Sequence, residues 1–188
     1  MSLSKYVYQM LGSYMEQLHY HPIRTKSISS CVIALSGNVV SQYMSGAKVL
    51  NQDSLIAFGL FGLIFGGTVP HFFYQLLDRV LTEETSNLYM KQLLIERLIY
   101  TPLFQALALY MLARLEGRSQ KESKQQLLRL YWPVLKANWI WLTVLQYLNL
   151  RVVPPMLRVL VVNLIGFFWC IFLANKRRKV QEARDKRQ

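Results

Sequence analysis

The sequence predicts an all-α protein, an integral membrane helical bundle of four or five transmembrane helices preceded by an N-terminal amphipathic helix. Three observations carry this. Of the 188 residues, 53% are apolar and only 17% charged, a smaller charged share than soluble domains carry. The charges are also segregated: no Asp, Glu, Lys or Arg occurs from Ser27 to Ala47, from Ser54 to Leu77 or from Val159 to Asn175. Such runs approach the roughly 20 residues that a helix needs to cross a bilayer core. Finally, the excess of 22 Lys and Arg over 10 Asp and Glu lies between the apolar runs and in the tail, where it meets anionic lipid rather than nucleic acid.

Residues 1–26 form the first unit. Leu3, Val7, Met10, Leu11, Tyr14 and Leu18 recur at helical spacing with Lys5, Gln9 and Glu16 between them, the pattern of a helix lying on a membrane surface. No uninterrupted apolar core with a small-residue cleavage site precedes the first long run, so a cleaved signal peptide is not expected. Residues 27–175 form the bundle. Its first segment, Ser27 to Met44, carries a small-residue stripe of Ser27, Ser30, Ala34, Gly37 and Ser41 that lets helix backbones approach closely. The second, Leu55 to Leu77, has Gly59, Gly62 and Gly66 for the same purpose, and Pro70 to kink it. The third, Leu93 to Ala113, holds Glu96, Arg97 and Pro102 near its start. The fourth and fifth, Tyr131 to Leu150 and Val153 to Asn175, are the polar spans. Residues 176–188 form a basic cytosolic tail, in which Lys176, Arg177, Arg178 and Lys179 directly follow an apolar stretch and suit a juxtamembrane anchor or a targeting signal.

Cytoplasmic loops usually hold the excess of Lys and Arg. With segments two to five crossing and segment one interfacial, the basic residues divide 16 to 3 with both termini on the rich side; five crossings give 13 to 6. The charge rule therefore favours four spans, although the small-residue stripe argues that segment one is buried too.

Chemistry-bearing motifs are sparse. His19 and His21 alternate about Tyr20, but no Cys or further His lies nearby, so they read as interfacial residues and no metal site is expected. Phosphate loops, nucleophile elbows and paired-Cys motifs are missing from the sequence, which leaves no basis for an enzyme or a cofactor. Cys31 and Cys170 both sit in apolar runs and indicate no disulfide framework. What remains is a set of polar groups inside apolar segments: Asn38, Gln42, His71, Glu96, Arg97, Gln105, Lys136, Asn138, Gln146, Asn149, Arg158 and Asn163. In hydrocarbon each must be paired or must face water, so each is either interhelical glue or part of a hydrated path. Glu96, the one acid within the spans, requires a cation, and Arg158 at the same expected depth is the predicted partner.

Several stretches resemble the family of 22-kilodalton peroxisomal membrane proteins and mitochondrial Mpv-type proteins. They are Tyr14, Leu18, Pro22, Thr25 and Lys26; Gly37, Asn38 and Gln42; Gly67 and His71 to Tyr74; Leu94 to Pro102 with Leu115, Glu116 and Gly117; and Trp132, Pro133, Asn138, Trp139, Gln146, Asn149, Pro154, Arg158, Asn163 and Trp169. Thr68, Leu142, Val144 and Phe172 depart from the family pattern. The resemblance implies a multi-pass peroxisomal membrane channel for relatively nonselective diffusion of small water-soluble metabolites, with lipids, peroxisomal membrane-protein import factors and further copies of itself as partners. A non-conducting membrane assembly protein and a gated channel of the mitochondrial inner membrane are the competing readings. One protomer has little room for a metabolite-sized lumen, so a homo-oligomer is expected, with Lys136 and Arg158 favouring anions.

Overall fold

The computed structural model describes residues 3–81, 87–152 and 155–185, and the regular structure among them is entirely helical. The elements are α1 (Leu3–Tyr20), α2 (Pro22–Met44), α3 (Gln52–Phe61), α4 (Thr68–Val80), α5 (Leu88–Ile95), α6 (Thr101–Leu115), α7 (Gln120–Ala137), α8 (Thr143–Val152) and α9 (Pro155–Asp185). Five-residue π turns at Gly62–Gly66, Glu96–Tyr100 and Asn138–Leu142 join α3 to α4, α5 to α6 and α7 to α8 into three long rods. Two stretches, Gln52–Leu77 and Met90–Leu115, are long and apolar enough by length and composition to cross a membrane.

Helix α1 ends because a residue preceding proline is pushed out of the α region: His21 has φ −132° and ψ 61°, and Pro22 opens α2 at its first turn. Thr25 Oγ1 then donates to the carbonyls of Gln17 and His21, both at 2.9 Å, and ties the two helices together. Among the described side chains of α1, Leu11, Tyr14 and Leu18 are half-buried, while Gln9, Gly12, Ser13 and Glu16 are exposed. The bundle's first helix thus starts at Pro22, ahead of the charge-free run that begins at Ser27.

Proline also accounts for two of the π turns. Pro70 cannot donate to the carbonyl four residues back and its ring crowds it, and that carbonyl belongs to Gly66, the last residue of the first π turn. Pro102 stands in the same relation to Leu98 within the second. The kink expected at Pro70 is therefore taken up one turn earlier.

The packing agrees with the burial that the small-residue stripe argues for: α2 lies at the centre of the bundle. It runs antiparallel to the rod containing α3, with Asn38 beside Ser54 and Ser27 beside Gly67. It runs parallel to α9, with Gly37 against Cys170 and Ser41 bonded to Asn175 at 2.8 Å. The face of α2 turned inward is small and polar (Ser27, Ala34, Gly37, Asn38, Ser41, Gln42), whereas Ile28 and Val32 are exposed. This inverts the soluble pattern. Buried hydroxyls and amides find partners on neighbouring helices, and the exposed surface stays apolar.

The glycines make that centre possible. A Cβ on Gly62 would stand 2.7 Å from the Ser30 carbonyl oxygen and 2.8 Å from the Cys31 Cα, so α2 and the first π turn touch backbone to backbone. Gly59 faces Leu35 and Gly66 faces Ser30 on the same helix. The two small-residue stripes thus meet each other within one chain, and are not free as faces for assembly between chains. A dry core follows below, built from Ala34, Phe58, Phe61, Leu109, Leu112 and Val134 among others of α2, α3, α6, α7 and α9.

Candidate functional site

Two polar clusters lie on either side of the dry core. The first surrounds a cavity of about 490 Å³ at the end of the bundle where α2 and α6 finish, α3 begins and α9 passes. The amides on its wall are mutually satisfied. Gln42 Nε2 donates to Asn38 Oδ1 at 2.7 Å, Asn38 Nδ2 donates to Ser54 Oγ at 3.0 Å, and the Asn51 backbone N–H donates to Gln42 Oε1 at 2.6 Å. Asn51 in turn caps α3, its side chain accepting from Ser54 N. Asn38 and Gln42, buried inside α2, are thus interhelical ties that hold the 45–51 turn against the bundle.

Opposite them stands a buried ion pair. Arg177, only 3% exposed, donates to both oxygens of Glu116 at 2.9 and 2.7 Å, and Arg118 Nε lies 3.3 Å from the same carboxylate. The guanidinium of Arg177 also lies 5.5 Å from the centre of the Phe58 ring. Burial pulls the Arg177 pKa below its ordinary value, while Glu116 pulls it back up. Arg178 reaches the Ser41 carbonyl at 3.5 Å and Glu182 at 3.2 Å. The four-residue basic cluster is therefore not a uniform surface signal: α9 continues as helix to Asp185, Arg177 is structural, and Lys176 and Lys179 are the exposed pair.

The second cluster joins the two lower π turns. Arg97 Nη1 donates to Asn138 Oδ1 at 3.0 Å and Nη2 to the Leu142 carbonyl at 3.4 Å, while Trp139 Nε1 donates to the Arg97 carbonyl at 2.9 Å. Glu96 lies 3.5 Å from Arg97, and the Tyr74 hydroxyl is hydrogen-bonded to it. Glu96 thus has a cation in its own sequence neighbour. Arg97 is long enough to curl around the widened turn, which an ideal-helix argument about adjacent residues overlooks. The side chain of the predicted partner, Arg158, lies outside the described residues, as do those of Asn149 and Asn163. Replacing Asn138 with Leu should remove the acceptor of a largely buried guanidinium and destabilise the fold by about 2 kcal/mol. A thermal midpoint in detergent equal to that of the parent protein would show that Arg97 does not depend on Asn138.

The remaining sequence candidates scatter. His71 Nδ1 is 3.3 Å from Lys26 Nζ at the opposite end of α2 from the cavity. Gln105 is buried at the α6 face, and its Nε2 has no hydrogen-bond partner among the described residues. Gln146 is half-buried. Lys136, a candidate for pore lining or interhelical contact, is exposed on the outside of α7, where Val134 and Leu135 occupy the inward face. His19 and His21 are both exposed, and no group of three metal-binding side chains is assembled among the described residues.

Sequence reasoning missed the centre of the upper cluster. Glu116 lies in the helix-to-helix turn after α6, and the sequence singles it out only within the family-like stretch Leu115, Glu116 and Gly117, with no role assigned. Its signal was being the first acid after the span, surrounded by Arg114 and Arg118.

The profile of the Mpv17 / PMP22 family matches residues 113–174, the stretch from the end of α6 to the α9 wall of the cavity. A relative from Dictyostelium discoideum named PXMP2/4 family protein 3 is 34% identical over 173 residues, covering 88% of this chain and 91% of that protein. The chain belongs to the Mpv17 / PMP22 family. Peroxisomal membrane protein 2 of Bos taurus is 29% identical over 172 residues, with 88% of each chain covered. The mitochondrial inner membrane protein Mpv17 of Caenorhabditis elegans is 28% identical over 167 residues, covering 84% of this chain and 87% of the relative. The family thus has peroxisomal and mitochondrial members. No solved structure matches the chain.

Proposed function

We propose that this protein is a non-enzymatic, multi-pass channel of the peroxisomal membrane through which small water-soluble metabolites diffuse, and that its aqueous path runs between copies of the chain along α7. The peroxisomal setting rests on relatives named as peroxisomal membrane proteins. The observation that carries the path is the outer face of α7. Lys121, Gln125, Arg129, Trp132 and Lys136 are all exposed and fall within an arc of roughly 80° over about 22 Å of helix. Elsewhere the exposed middle of the bundle is apolar, as at Ile28, Val32, Leu60, Leu63, Leu98, Ile99 and Leu103. A basic stripe that continues toward mid-bilayer is costly against lipid tails, and facing water in an assembly removes that cost. The interior of one protomer supplies no substitute, since its two polar clusters are separated by the dry core.

Five crossings fit this reading. Helix α2 packs along the length of the rod beside it, and if both cross, the C-terminus shares a side with the loop from Arg114 to Arg129, opposite α1. The basic residues then divide 13 to 6.

Liposomes containing the purified protein should release small organic acids and retain macromolecules. In a background without Cys31 and Cys170, a Lys136→Cys channel should react with a membrane-impermeant thiol reagent and lose about half or more of its efflux. Vesicles as tight as protein-free ones would overturn the channel reading. Normal efflux with an unreactive Cys at position 136 would overturn the α7 path alone.

A further inference from the structure

The geometry points to the cavity at the cytosolic end as a binding site for a small dianion, a dicarboxylate or a phosphate-bearing group, separate from the conducting path. Its volume of about 490 Å³ lies within the range of small-ligand pockets. Three guanidinium groups, Arg118, Arg177 and Arg178, stand on its wall together with Ser41 and Ser54. The acids on the same wall already have partners, and those of Glu116 are two of these same guanidinium groups. Glu116 is held by Arg177 and Arg118, and Glu122 Oε2 accepts from the backbone N–H and the hydroxyl of Ser119 in the capping box that starts α7. Asp53 is exposed in the first turn of α3, where the helix N-terminus holds its charge.

Two guanidinium donors on this wall have no hydrogen-bond partner among the described residues. Arg177 Nε is buried and has no hydrogen-bond partner among the described residues, although Nη1 and Nη2 of the same guanidinium each donate to Glu116. A buried N–H of a charged group calls for an acceptor. The Nε of Arg178 lies 3.2 Å from Glu182 but is likewise without a hydrogen bond, and Glu182 is more than half exposed, so a ligand can compete with it. Planar guanidinium groups suit carboxylate and phosphate oxygens in paired hydrogen bonds. The mouth lies at the end of the spans, so the ligand can arrive as a free solute or as the headgroup of an anionic lipid.

The full-length protein in detergent or nanodiscs tests this by thermal midpoint and calorimetry. Malonate and inorganic phosphate form the soluble arm, with malonamide and sodium chloride of equal ionic strength as controls. Phosphatidic acid against phosphatidylcholine in nanodiscs forms the lipid arm. Malonate or phosphate at about 100 times its dissociation constant should raise the midpoint by roughly 5 °C or more, and malonamide should not. Stabilisation by phosphatidic acid alone would support the site and assign it to a headgroup. Arg118→Gln and Arg178→Gln, at partly exposed positions, should fold and lose the response. The proposal is overturned by no response in either arm, by an equal response to malonamide, or by a response that survives both substitutions. Efflux from liposomes is measured separately, so failure here leaves the conduction reading intact.

Discussion

Replacing Gly62 with Leu should abolish the folded bundle. A single Cβ at this position already falls within 3.0 Å of the Ser30 carbonyl and of the Cys31 N and Cα, all backbone atoms of α2 that no rotamer change can move. Even Gly62→Ala should cost about 3 kcal/mol, near the upper end for overpacking, because separating the two helices also loosens the ties between Asn38, Gln42 and Ser54. Gly166 provides the contrast. It lies in α9 with nothing within 4 Å of an added Cβ, so Gly166→Ala should be neutral or stabilising by up to about 1 kcal/mol through helix propensity. Thermal denaturation and size-exclusion profiles in detergent measure both. A folded Gly62→Leu protein with the parent's midpoint would mean that α2 and the first π turn do not touch.

The second large effect concerns Glu116. Its carboxylate is the bidentate partner of Arg177, a guanidinium almost completely removed from solvent. Glu116→Gln keeps the shape and removes the charge, leaving an uncompensated cation in the bundle at a cost of about 3–5 kcal/mol. The corresponding drop in midpoint is roughly 6–20 °C for a chain of this size. Replacing both partners, as Glu116→Leu with Arg177→Met, removes the desolvated charges together and should be less damaging than Glu116→Gln alone. A double variant as unstable as the sum of its singles would show that the two side chains act independently. Substituting the whole quartet from Lys176 to Lys179 would carry the same structural penalty, so a loss of membrane delivery from it could not be assigned to targeting.

How much of this was legible in the chain depends on the range of the interaction. Charge-free runs and the basic loops act locally or through the average environment, and they marked the helices and the membrane without any contact being known. The Gly62 and Ser30 stripes were visible as stripes because helical periodicity puts such residues on one face. That they meet each other rather than another chain required the path of α2 through the bundle. The charge rule says nothing of how that same helix packs. It weighs the Lys and Arg of Lys5, Arg24 and Lys26 but is blind to Asn38, Ser41 and Gln42, whose burial is made tolerable by partners on α3 and α9.

From sequence alone, this protein was determined to be an all-helical membrane protein of a recognisable family, because bilayer thickness and the loss of water impose composition rules that single segments must obey. Tertiary structure alone decided which polar residue answers which. Arg97 meets Asn138 across 41 positions and Arg177 meets Glu116 across 61, while Lys136 turns outward from the same helix that turns Val134 inward. Pairings of that kind depend on helix rotation and depth. Three π turns, each shifting the register of the residues that follow, put both beyond a count of residues along an ideal helix.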